Sequence, residues 1–266
     1  MRRLAQKFKE LKRKNRCAFI AYITVGDPSL SVTKELIFEL ERSGVDIIEL
    51  GVPFSDPLAD GPVIQAASHR ALKNGTTLAK IIQLIKSIRK DVRIPLCLMS
   101  YYNPIYRMGL LRFASEIERS GVDGVIVPDL PLEEAKGLIK VMRRGKIDTV
   151  FFVSPMSSIK RIKLAAKASS SFIYYVSLAG ITGARKELAD DLRAKVSLIK
   201  RYTTKPVCVG FGISRPQQVR ELSNFCDGVI VGSAIVNKIA ENLNKEDLIK
   251  NIGIFVRSLT GELRNV

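Results

Sequence analysis

The sequence predicts an α/β protein: one closed (βα)8 barrel over residues 1–266, with an extra amphipathic helix at 1–16 packed on it. Three observations carry this. Strand-like and helix-like runs alternate along the chain with no linker between them. The strand-like runs are near-continuous in Val, Ile and Leu, as parallel strands covered on both faces require. Eight such units fit into 266 residues, close to the roughly 250 of a barrel of this kind. An open doubly wound sheet is the competing architecture. It lacks its usual marker here, because the first strand is followed by TVGDPS and not by a GxGxxG turn.

In MRRLAQKFKELKRKNR, Leu4, Phe8 and Leu11 fall at i, i+4 and i+7. This gives a basic helix with one apolar face to dock over a core. Strands are predicted at 17–24 (CAFIAYIT), 46–51 (DIIELG), 94–101 (IPLCLMSY) and 123–129 (DGVIVPD). Four more follow at 149–154 (TVFFVS), 172–177 (FIYYVS), 205–211 (KPVCVGF) and 227–233 (DGVIVGS). Amphipathic helices lie between them, for example at 32–44, 78–90 and 132–145. Two short echoes mark equivalent points of the repeating unit: ERSGVD at 41–46 and 118–123, and DGVIV at 123–127 and 227–231. Each ERSG reads as a helix ending on a glycine that takes a left-handed cap.

Composition narrows the functions. Lys and Arg number 43 against 26 Asp and Glu, a net charge of +17. The basic residues are spread along every predicted helix, without the aromatic platform that stacks bases, so no nucleic-acid partner is expected. No run approaches the roughly 20 apolar residues of a membrane span. The N-terminus shows no cleavable signal, so a cytoplasmic location and no membrane partner are expected. Cys17, Cys97, Cys208 and Cys226 have no CxxC spacing, and His69, the one histidine, sits in a polar helix end. Buried reduced thiols and no metal site are the expectation.

Chemistry in such a barrel collects at the C-terminal ends of the strands. The segments after strands six, seven and eight (LAGITGAR, GFGIS and GSAIV) are rich in glycine with Ser or Thr. Glycine lets backbone N–H groups approach an anion, and a following helix N-terminus favours negative charge. A phosphate held by Gly183, Gly212, Gly232 and Ser233 is predicted. In IIELG, Ile47, Glu49 and Gly51 share a face by strand alternation. If that face looks inward, Glu49 projects at the mouth of an apolar cavity. Burial there raises its pKa toward the range where it can give and take a proton. The proline-stiffened loop that follows carries Asp60.

No lysine lies at a predicted strand end, since Lys205 starts its strand, so Schiff-base chemistry is disfavoured. With one histidine, metal-assisted enolate chemistry is also disfavoured. What remains is proton transfer by carboxylates on a phosphorylated substrate that carries its own electron sink. Two other readings stay open on the residues alone. One is a barrel isomerase or epimerase of sugar phosphates. The other is a basic barrel that only binds or activates a partner.

AYITVGDPS, IIELGVPFSDPLADGPVIQ, LMSYYNPIY, PDLPLEE, SLAGITGAR, GFGIS and GSAIV, in this order and spacing, resemble the tryptophan synthase alpha chain family over essentially the whole chain. The resemblance implies a TIM barrel lyase that cleaves indole-3-glycerol phosphate to indole and glyceraldehyde 3-phosphate. It implies that Glu49 is the acid/base and that Asp60 contacts the indole N–H. It places Tyr101 and Tyr174 at the pocket wall near the acids, Thr182 as a positioner of Asp60 on closure, and Phe211 beside the substrate. Tyr22 stands at the pocket wall where Phe is expected, and adds a hydroxyl. No cofactor is implied in this chain. Pyridoxal phosphate is expected only in a partner beta chain, within an alpha2beta2 heterotetramer, which receives indole through a tunnel. Loops 55–61 and 179–185 would face that partner as a mobile lid. The basic charge departs from a family whose members are often acidic.

Overall fold

The computed structural model describes residues 2–176, 185–210 and 212–263. Helix α1 (Arg3–Arg13) precedes β1 (Ala18–Thr24), α2 (Leu30–Arg42), β2 (Ile47–Gly51), α3 (Pro62–Lys73), α4 (Leu78–Ile88) and β3 (Leu96–Met99). Next come α5 (Tyr102–Met108), α6 (Leu110–Ser120), β4 (Gly124–Ile126), α7 (Lys136–Arg144), β5 (Asp148–Val153), α8 (Ile159–Ala168) and β6 (Ile173–Val176). The chain continues through α9 (Arg185–Lys200), β7 (Val207–Gly210), α10 (Pro216–Ser223), β8 (Gly228–Val231), α11 (Ser233–Ala240) and α12 (Leu248–Thr260). All eight strands pair in parallel in chain order, and β8 closes on β1 through Ala18 and Gly228. The predicted closed barrel is therefore the fold. Most of the strands are shorter than predicted, above all the third, fourth, seventh and eighth, because their outer residues turn into rim segments once the barrel ends.

Helices α2 and α4 form for local reasons, and each buries one stripe. Ser29 caps α2 by accepting from the Val32 amide, and Thr77 caps α4 by accepting from Lys80. The stripe of α2 is Thr33, Leu36, Ile37 and Leu40; that of α4 is Leu78, Ile81, Ile82, Ile85 and Ile88. Both follow the 3.6-residue period and cover the outside of the sheet. Strand alternation splits the apolar residues between two cores. On β1, Phe19, Ala21 and Ile23 face the helices, whereas Ala18 and Ile20 face the barrel interior.

The N-terminal end of the barrel is stoppered. Leu4, Phe8 and Leu11 of α1 are buried in the interior core with Cys97, Val150, Phe172 and Cys208. The rings of Phe8 and Phe172 stand 5.6 Å apart. Around this stopper, carboxylates at the strand starts act as clamps. Asp46, Asp123 and Asp227 accept from the amides of Phe19, Leu96 and Val207, each on the strand before their own. Each carboxylate also meets a cation: Arg16 for Asp46, Arg3 and Arg89 for Asp123, Lys200 for Asp227. These are the aspartates of the two sequence echoes. Gly44 and Gly121 of the ERSG copies both have positive φ, 86° and 83°. The repetition in sequence thus reproduces one helix stop and one strand clamp.

Candidate active site

The next inward position on every strand, two residues beyond the interior core, forms one ring. The core contributes Ile20, Ile47, Cys97, Ile126, Val150, Phe172, Cys208 and Ile230. Two residues on are Tyr22, Glu49, Met99, Pro128, Phe152, Tyr174, Gly210 and Gly232. Every member of that ring except Glu49 lines a cavity of about 970 Å³ at the C-terminal end of the barrel. Asp60, Ile64, Ser154, Gly212, Ile213 and Ser233 complete much of its wall. A cavity of this size suits a small organic ligand, and its wall is mainly apolar with a few polar groups.

Glu49 is the exception because it is enclosed. It pairs in register with Tyr22 on β1 and Cys97 on β3, and has no exposed surface. Neither carboxyl oxygen has a hydrogen-bond partner among the described residues. Burial alone pushes its pKa up to about 8. An unpaired buried carboxylate is costly, so the group is held as the acid at neutral pH.

Asp60 lies just before α3, which starts at Pro62 behind the N-cap Gly61. Burial raises its pKa, opposed by the Tyr101 hydroxyl, which donates to Oδ2 at 3.0 Å. The same hydroxyl accepts from the Ala59 amide at 2.8 Å. Tyr101 does not line the cavity, where it was expected. It stands behind the Asp60 loop, its ring 5.2 Å from Phe54. Helix α3 is fixed in turn by Arg70, which donates through Nε and a terminal nitrogen to buried Asp27 of the loop after β1, at 2.8 and 2.7 Å.

Two tyrosines lean over glycines of the next strand. The Tyr22 hydroxyl fills the space that a side chain at Gly51 would need, 3.5 Å from Thr24 Oγ1. Tyr174 does the same over Gly210, where an added Cβ would meet Cε1 at 2.5 Å and the hydroxyl at 2.8 Å. Burial raises both phenols, with the charge of Asp60 adding at Tyr22 and that of Glu49 at Tyr174. The Tyr174 ring packs 4.8 Å from Phe152.

Beside Tyr22, at the end of β8, Gly232 caps α11 without a side-chain capping bond, and the first turn carries no acidic residue. The amides at Ser233 and beyond are left to face the cavity edge with the positive end of the helix. Of the predicted site residues, Thr182, Gly183 and Phe211 lie outside the described residues, as do residues 179–184 of the predicted lid. His69 is exposed on α3. Among the described residues no group of three or more His, Cys, Asp and Glu side chains could hold a metal ion. No described helix is long and apolar enough to cross a membrane. Met99, Pro128, Phe152, Ser154 and Ile213 were not anticipated. For the first three, counting two residues beyond each inward core position would have found them.

The tryptophan synthase alpha chain family model matches residues 8–260. The chain belongs to the tryptophan synthase alpha chain family. It is 47% identical to the tryptophan synthase alpha chain of Geotalea uraniireducens, over 100% of this chain and 99% of that one. It is 45% identical to that of Geobacter sulfurreducens over the whole of both chains. The crystal structure of tryptophan synthase subunit alpha from Legionella pneumophila superposes with a TM-score of 0.94 at 35% identity, covering 100% of both chains. A crystal structure of M. tuberculosis tryptophan synthase in an aminoacrylate-bound form is also similar, with a TM-score of 0.89 at 30% identity over 99% of this chain and 100% of that one. As a tryptophan synthase alpha chain, the protein is a lyase that cleaves indole-3-glycerol phosphate in tryptophan biosynthesis.

Proposed function

We propose that Glu49 and Asp60 divide the cleavage between them, one moving protons and the other holding charge. The observation that carries this is the buried carboxyl of Glu49, unpartnered among the described residues, in a ring with no other carboxylate, beside a cavity whose wall carries Asp60. With its pKa at about 8, Glu49 begins as the acid. Once turned toward the cavity, it delivers its proton to indole C3. The ring becomes an iminium-type cation, and Asp60, at the ring N–H, stabilises the charge that develops there. The side-chain hydroxyl then loses its proton to the Glu49 carboxylate and becomes a carbonyl, while the electrons of the breaking C–C bond return to the ring. Glyceraldehyde 3-phosphate and indole leave, and Glu49 is again protonated. The indole ring is the electron sink, so the chain uses no cofactor of its own.

The remaining assignments rest on position for the described residues, and on the family resemblance for Thr182, Gly183 and Phe211. Tyr22, Tyr174 and Phe211 border the ring. Gly212, Gly232 and Ser233, with Gly183, hold the phosphate through backbone amides at the start of α11. Tyr101 and Thr182 position Asp60. The chain works as a single domain in the cytoplasm. Its partner is a beta chain carrying pyridoxal phosphate, in an alpha2beta2 assembly. The apolar side chains of Leu58, Tyr106 and Met156, 94%, 73% and 85% exposed on segments that follow β2, β3 and β5, suit burial by that partner.

The test is indole release from indole-3-glycerol phosphate by the purified chain, alone and with a beta chain. Glu49→Gln should abolish it and Asp60→Asn should lower it by about 100-fold or more. Wild-type kcat should fall as pH rises through about 8, as the acid form of Glu49 is lost. Undiminished activity in both variants would overturn the assignment.

A further inference from the structure

At the N-terminal end of the barrel, away from the active site, the structure holds two thiols in contact. Cys17 precedes β1 and Cys226 precedes β8, at the seam where the barrel closes. Their sulfurs are 3.8 Å apart. Each is nearly enclosed, 8% and 6% exposed, yet both line a second cavity of about 420 Å³. Its walls carry Lys12, Arg16, Lys200 and Lys205, against Asp227 as the one carboxylate. Lys205 donates only to the Ala166 carbonyl among the described residues, at 2.7 Å, so its charge is uncompensated there. The other two cysteines differ. Cys97 and Cys208 have no exposed surface and lie in the interior core.

We propose that Cys17 and Cys226 form a thiol–disulfide exchange site that takes small anionic disulfides through this cavity and closes into an internal bridge. The steps balance. One cysteine thiolate attacks a sulfur of the incoming disulfide, forming a mixed disulfide and releasing one small thiolate. The second cysteine, already in contact, attacks the protein sulfur of that bond, forming Cys17–Cys226 and releasing the second small thiolate. Two electrons pass from the protein thiols to the disulfide, and two protons leave the cysteines. A bridge needs its sulfurs about 2.05 Å apart, so they must approach by rotation of side chains on two adjacent, hydrogen-bonded strand starts. The cations draw in an anionic disulfide and favour the small thiolates released. The contact with Cys226 and burial push the Cys17 thiol up, so exchange should quicken as pH rises. The product is a covalent staple across the β1–β8 seam.

The experiment uses the purified full chain with oxidised glutathione, an anionic disulfide, followed by acid quenching, unfolding and alkylation. The expected product has lost two hydrogens and two alkylatable thiols, and peptide mapping joins Cys17 to Cys226. Cys17→Ser and Cys226→Ser should each leave a glutathione adduct on the remaining partner and no bridge. Oxidised wild type should melt at a higher temperature than either variant, and dithiothreitol should reverse the gain. Oxidised glutathione should react at least about fivefold faster than cystamine, a dicationic disulfide, and Lys12→Gln with Lys205→Gln should narrow that gap. Four thiols still open to alkylation, a bridge through Cys97 or Cys208, or a mixed disulfide that never resolves would overturn the proposal. Equal rates with the two disulfides would overturn entry through the cationic cavity.

Discussion

The Tyr101 hydroxyl stands between two parts of one loop, accepting from the Ala59 amide at 2.8 Å and donating to Asp60 Oδ2 at 3.0 Å. It is the one side chain bonded to the Asp60 carboxylate among the described residues. Tyr101→Phe removes both bonds while keeping the ring against Phe54. The expected result is a fall in kcat of about tenfold, corresponding to roughly 1–2 kcal/mol of lost positioning, with the fold intact. Steady-state kinetics with circular dichroism checks it; kinetics identical to wild type would mean the hydroxyl positions nothing.

Glu49 makes stability depend on pH in a definite direction. Its folded pKa, about 8, is raised above the ordinary 4.5 by burial. The folded state therefore binds more protons than the unfolded chain between those values. Its stability is fully present below about 4.5 and is lost as pH rises through about 8. Glu49→Gln removes this dependence. The variant should be more stable than wild type at pH 8.5, by an amount on the order of a few kcal/mol, with the gap closing toward pH 4.5. Urea unfolding at the two pH values measures it, and a gap that widens on acidification contradicts the sign.

Gly51 and Tyr22 should couple. Gly51→Ala drives a methyl group into the space of the Tyr22 hydroxyl, and overpacking of this kind costs about 1–3 kcal/mol. Tyr22→Phe frees the hydroxyl's volume but leaves ring carbons within 2.7 Å of the new Cβ. The double variant should recover part of the loss and not all of it. A double-mutant cycle of unfolding free energies reads the coupling directly, and strict additivity would show that the two residues do not share that space.

Ser233→Asp sets a carboxylate at the first position of α11, where the first turn carries none. An acidic group there suits the helix, so thermal stability should hold or rise by up to about 1 kcal/mol. The same charge competes with substrate phosphate. KM should rise by about 100-fold with a smaller change in kcat, while Ser233→Ala stays within about fivefold of wild type. Equal effects from both substitutions would separate Ser233 from the anion.

The barrel was legible because parallel strands buried on both faces leave long apolar runs, and eight of them alternated with amphipathic stripes. Glu49 stood out because a carboxylate interrupts such a run. Asp60 was legible from its loop, but its tether was not. Nothing near Tyr101 in sequence signals a bond to a residue 41 positions away, and the family resemblance placed its ring at the pocket wall. Met99 and Phe152 escaped for the opposite reason. They look like ordinary core, and only strand register lifts them one layer above Cys97 and Val150. The ERSG and DGVIV echoes were visible as repetition, but their use needed the neighbouring strand, because Asp123 clamps an amide 27 residues upstream.

The stopper of α1 also sets an order of assembly. Arg3 binds Asp123 and Arg2 binds Asp148, contacts 120 and 146 residues apart along the chain. Residues that leave the ribosome ahead of the strands they plug must wait, apolar face uncovered, until more than half of the polypeptide has emerged. A chaperone that shields Leu4, Phe8 and Leu11 during that interval would act at the stage of synthesis when the nascent chain is most exposed to aggregation.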